Sequence, residues 1–102
     1  MKLKPGVKIT GLRPEMVLGC LAVQKVCDEL GVPFVVTSAV EGKHSSTSLH
    51  YAGCAIDIRT NNMRGQQAKA RDMINDALGV DFDCLDEGNH LHLEFQPRRN
   101  TA

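Results

Sequence analysis

The chain has 102 residues, 42% hydrophobic and 24% charged, with twelve Lys and Arg balancing twelve Asp and Glu. By size this is one domain, spanning 1–102, long enough to bury a core without disulfides or a structural metal. Zero net charge argues against a nucleic-acid surface, and three Phe, one Tyr and no Trp leave no aromatic stacking platform.

The start, Met1-Lys2-Leu3-Lys4-Pro5-Gly6, lacks the apolar run of a signal peptide. No apolar stretch approaches the roughly 20 residues of a membrane span. The expectation is synthesis in the cytoplasm, with delivery by another route if the protein works outside. Cysteines at 20, 27, 54 and 84 form no Cys-x-x-Cys pair and read as free thiols.

Residues 1–12 read as irregular, broken by Pro5, Gly6 and Gly11. A helix is predicted from Pro14 to Leu30, with Pro14 in its first turn and Gly31 as its stop. Met16, Cys20, Val23, Cys27 and Leu30 repeat there at three and four, a stripe that faces a core. A strand follows at Val35-Val36-Thr37. Residues 41–53 have loop composition, and a loop of that length is usually functional. Cys54 to Arg59 reads as a strand with Ala55, Asp57 and Arg59 on one face and Ile56 and Ile58 on the other. A second helix is expected from Met63 to Leu78, capped by Asn61 or Asn62 and stopped by Gly79. Phe82 to Leu85 and His90 to Phe95 close the chain as strands joined by Asp86-Glu87-Gly88-Asn89. The order predicts an α+β fold, a mainly antiparallel sheet with two principal helices.

The four histidines fall in two carboxylate-rich stretches, His44 to Asp57 and Asp86 to Glu94. His90 and His92 lie two apart in a strand and project from one face, while Leu91, Leu93 and Phe95 take the other. Gly53 allows a sharp turn that can bring His50 back over the strand bearing Asp57. Asp57 sits in an apolar strand, where a carboxylate is costly unless it is paired or holds a metal. It can pair with Arg59, its neighbour on the same face. Two imidazoles and a carboxylate with an open fourth position make a donor set that suits catalytic zinc. Zinc lowers the pKa of its water toward about 7, and a carboxylate such as Glu87 or Asp86 can take the proton.

Ser48-Leu49-His50-Tyr51, Gly53, Ala55 and Asp57-Ile58 together resemble the zinc motif of the M15 metallopeptidases. That family includes D-alanyl-D-alanine carboxypeptidases and dipeptidases and phage L-alanyl-D-glutamate endolysins. The segment is also similar to the hedgehog signalling domain, which shares the fold. Glu87-Gly88-Asn89-His90-Leu91-His92-Leu93-Glu94 resembles the second motif of small phage and prophage members. The resemblance spans about residues 10–97 and implies a hedgehog/DD-peptidase-like fold and one zinc ion.

It implies zinc ligands at His50, Asp57 and His92, with His90 beside the metal to stabilise an oxyanion. Glu87 matches the catalytic carboxylate of small phage members, and Asp86 fits the hedgehog-type spacing instead. His44 matches a further histidine near the metal. Where many members carry an Arg for a substrate carboxylate, this chain has Ser38-Ala39-Val40-Glu41-Gly42. Arg59 can serve instead or pair with Asp57, and the tilt is toward an endopeptidase. The implied substrate is a peptidoglycan stem peptide, cleaved after release to the wall or from a virion. No nucleic acid, membrane insertion or protein partner is implied. The alternative is a non-catalytic zinc-stabilised binding or virion module, which shares the ligands but needs no base. A blander alternative is a metal-free domain whose histidines pair with carboxylates.

Overall fold

A computed structural model describes residues 1–41 and 53–97. The elements run β1 (Lys2–Leu3), α1 (Pro14–Leu30), β2 (Val35–Ser38), β3 (Ala55–Arg59), α2 (Gln67–Leu78), β4 (Phe82–Asp86) and β5 (His90–Phe95). The five strands form one mixed sheet in the order β1-β2-β3-β5-β4. β1 joins β2 in parallel, and the other three pairings are antiparallel. The fold is α+β.

α1 occupies the predicted span. Pro14 enters where its missing N–H costs nothing, and Gly31 leaves in the left-handed conformation at φ 68°. Its stripe of Met16, Cys20, Val23 and Cys27 is buried. With Ile74 of α2 it packs on Ile56, Ile58, Leu91 and Leu93 of the central strands. Each such fully buried aliphatic side chain stabilises the fold by about 1.5–3 kcal/mol. Both helices therefore cover one face of the sheet. Buried thiols belong to this core: burial holds Cys27 up at about 11 and Cys84 up at about 12.

Three expectations change. Residues 1–12 are not all irregular: Lys2–Leu3 runs beside Val35 and Val36, and the N–H groups of Lys2 and Lys4 donate to Phe34 and Val36. α2 starts at Gln67, not Met63, and neither Asn61 nor Asn62 caps it. Arg64 and Gly65 both have positive φ, 54° and 78°, which a helix cannot include. Met63 supplies an apolar signal without being helical, because its side chain is fully buried from a turn. The strand near 54 begins at Ala55.

Two side-chain clasps finish the sheet. Asn75 of α2 donates its amide to the carbonyl of Cys84 at 3.0 Å and accepts from the Cys84 N–H at 2.8 Å. Gln67 of α2 donates to Asp86 Oδ1 at 3.0 Å and to the Gly88 carbonyl at 2.9 Å, pinning the β4–β5 turn.

Candidate metal centre

The face of the sheet opposite the helices carries a cluster of histidines and carboxylates. β3 and β5 pair with Asp57 opposite His92, Arg59 opposite His90 and Ala55 opposite Glu94. Alternation then sends Ile56, Ile58, Leu91 and Leu93 into the core and leaves Asp57, His90, His92 and Glu94 together on the other side. A bulge between Val36 and Ser38 brings Ser38 opposite Asp57 as well.

Distances within the group are short. His92 Nδ1 lies 3.0 Å from Asp57 Oδ1, and its Nε2 lies 3.2 Å from Glu94 Oε1. His90 Nε2 approaches the same Asp57 oxygen at 3.8 Å. Its Nδ1 sits 2.5 Å from Asn89 Oδ1. The side chains of Asp57, His92 and Glu94 are each 18% exposed, so these charges are only partly solvated. The hydrogen bond with Asp57 holds the His92 imidazole above its usual pKa, against burial, which lowers it; the charges of Asp57 and Glu94 add to the rise.

Gly53 sits at the entrance to β3 with φ 74°. A Cβ there would run into the carbonyl oxygen of Gly11, and the Gly53 carbonyl accepts the Arg13 N–H at 3.0 Å. The residue is therefore tied to the lead into α1 by a contact only glycine allows.

The two candidate carboxylates separate. Asp86 is in register with the buried Leu91, so it lies on the helix side of the sheet, away from His92. Its Oδ1 accepts from the Gly88 N–H and from Gln67, and these bonds hold the carboxyl below its ordinary range. Glu87 is exposed in the turn before β5, and its N–H donates to the His90 carbonyl. Arg59 shares the face of Asp57 and stands opposite His90, but the two do not form an ion pair; Asp57 takes the histidines instead. His44 and His50 lie outside the described residues.

Sequence reasoning passed over two partners. Glu94 completes the other side of the His92 ring, and its position two residues along the same strand was the available signal. Glu41 closes the turn after β2: it accepts from the N–H groups of Ala39 and Lys8 and from Ser38 Oγ. Burial works to raise its pKa, but those bonds outweigh it and the net shift is down.

Among the described residues no three His, Cys, Asp or Glu side chains are arranged to hold a metal ion. Asp57 and His92 fit two positions of such a site by chemistry and spacing. Donors at 2.0–2.1 Å in a tetrahedral zinc site stand about 3.3 Å apart, close to the spacing of this pair. No protein-family model matches the chain, and no curated protein matches it. No helix among the described residues is long and apolar enough to cross a membrane.

Proposed function

We propose that the chain is a zinc-dependent peptidase of the M15 type, with a hedgehog/DD-peptidase-like fold, that hydrolyses an amide bond in peptidoglycan stem peptides. The observation that carries the reading is the cross-strand pair of Asp57 and His92, 3.0 Å apart on the sheet face away from the core. A mostly buried carboxylate joined to imidazole, beside a second histidine, is a donor set suited to zinc. Asp57, His92 and His50 would hold the ion. When bound, zinc acts as a Lewis acid and makes water a stronger nucleophile near neutral pH.

The protein's own groups supply the rest. Glu87 takes a proton from the attacking water as its oxygen bonds to the carbonyl carbon. Glu87 then returns that proton to the nitrogen as the C–N bond breaks. Glu87 is favoured over Asp86 because the Asp86 carboxylate is engaged by Gln67 and Gly88 on the opposite face. His90, beside Asp57, is suited to donate to the developing oxyanion. The turn after β2 presents the Glu41 carboxylate, not a guanidinium, which favours an endopeptidase over an enzyme that grips a free C-terminal carboxylate.

The test is muropeptide release from purified cell walls by tag-free, metal-analysed protein. Release is expected with zinc and not with chelator, and not from Glu87→Ala. Metal-loaded protein that releases nothing would sink the peptidase reading, and a zinc content near zero would sink the metal reading.

A further inference from the structure

Both nitrogens of the His92 ring face carboxylates, and the two carboxylates differ in their surroundings. Asp57 also has His90 within reach of the same oxygen. Glu94 has His92 as its sole hydrogen-bond or ion-pair partner among the described residues, at 3.2 Å. Asp83 stands directly across from Glu94 on β4, and a like charge opposite is unfavourable. The mostly buried Glu94 carboxylate therefore depends on the N–H that His92 can give it.

We infer that Glu94 is a positioning residue, holding the proton of His92 on Nε2 so that the lone pair of Nδ1 is turned to the metal beside Asp57. The inference rests on the proposed zinc site. Its physical basis is that a neutral imidazole has one donor and one acceptor nitrogen, and whatever fixes the donor fixes the acceptor. A metal shared with Asp57 must use Nδ1, because that nitrogen lies 3.0 Å from Asp57 Oδ1. Nε2 leads away to Glu94. A carboxylate on the far nitrogen of a metal-bound histidine orients the ring and raises its basicity. Zinc would take that Nδ1 lone pair and leave the Nε2–H in place.

Zinc affinity is to be measured by chelator competition for the wild type, Glu94→Gln, Glu94→Ala and Asp83→Asn. Nitrogen-15 NMR of the His92 ring is recorded on each zinc-loaded protein, and thermal midpoints of the metal-free forms check folding. Loss of the carboxylate in Glu94→Ala should weaken zinc binding by roughly 10–100-fold. Glu94→Gln, which keeps an acceptor without the charge, should fall between, and Asp83→Asn should match the wild type. The wild-type ring should carry its proton on Nε2. Equal zinc affinity in the wild type and Glu94→Ala, or a ring protonated on Nδ1 with zinc on Nε2, overturns the role of Glu94 alone. Wild-type protein that binds no zinc overturns the metal reading and the inference with it.

Discussion

Asp57 and His92 face each other across two antiparallel strands, Oδ1 to Nδ1 at 3.0 Å, with fully buried neighbours on both sides of each. Their separation is set by the β3–β5 ladder, whose opposite face is packed core. The pair is thus held by the packed β3–β5 ladder rather than by a loop. Zinc at a hundredfold excess over its dissociation constant should stabilise the folded state by about 2.7 kcal/mol. In a domain this size that raises the melting midpoint by on the order of 10 °C. Asp57→Ala and His92→Ala should each lose the zinc-dependent part, read by calorimetry with and without chelator. An undiminished shift in both variants would remove these residues from the site.

Glu87 and Asp86 are adjacent in sequence and lie in different surroundings. Glu87→Gln should keep its zinc and lose about 10²–10⁴-fold in turnover, the usual contribution of a general base. Asp86→Asn should turn over near the wild-type rate, because its carboxylate is committed to the hairpin turn. Muropeptide release under matched zinc loading separates them, and a reversed ranking would exchange their roles.

Asp86 also makes the fold sensitive to acid. The Gly88 N–H, then Gln67, stabilises its charged form, so its folded-state pKa lies below that of the unfolded chain. Its stabilising contribution is complete above the unfolded value of about 4 and disappears as pH falls through the folded value. Urea midpoints from pH 7 to pH 3 should fall less steeply for Asp86→Asn than for the wild type. Parallel curves would show that the turn does not depend on this charge.

Asn75 satisfies both main-chain polar groups of Cys84 from outside the sheet. Asn75→Ala removes two partners at once from a partly buried position. A destabilisation of about 1–3 kcal/mol is expected in denaturant unfolding, with an unchanged m-value. A loss below a few tenths would mean that water replaces the amide fully.

Gly53→Ala should cost about 1–3 kcal/mol, since an L-residue is strained at φ 74° and its Cβ meets the Gly11 carbonyl. Thermal denaturation measures it, and a neutral result would require the Gly11–Arg13 segment to move freely.

α1 and β5 were legible to the residue because local signals bracket them. Pro14 and Gly31 enclose an unbroken three-four stripe, and His90 to Phe95 alternates without exception. The shared face of His90 and His92 followed from that alternation. Met63 misplaced the start of α2, since a buried turn residue and a buried helix residue carry the same apolar signal. β1 has two residues, too few to show any period, and its pairing depends on contacts with a strand more than thirty residues away. That Asp86 turns toward α2 and away from the histidines depends on the hairpin's register against Leu91, which no spacing reveals. Glu94 was placed in the carboxylate-rich stretch but given no partner, because its contact with His92 is set by ring orientation.

The hold of Asn75 on Cys84 has one more consequence. β4 is a border strand, and a border strand ordinarily invites an incoming extended peptide to dock on its vacant main-chain groups. Here a visitor would first have to evict a side-chain amide from the strand's midpoint. The opposite border is the two-residue β1, which includes a lysine and is too brief to serve as a template. The sheet is thereby guarded against fibrillar stacking on both flanks, and Asn75→Ala is the change that would reopen one of them.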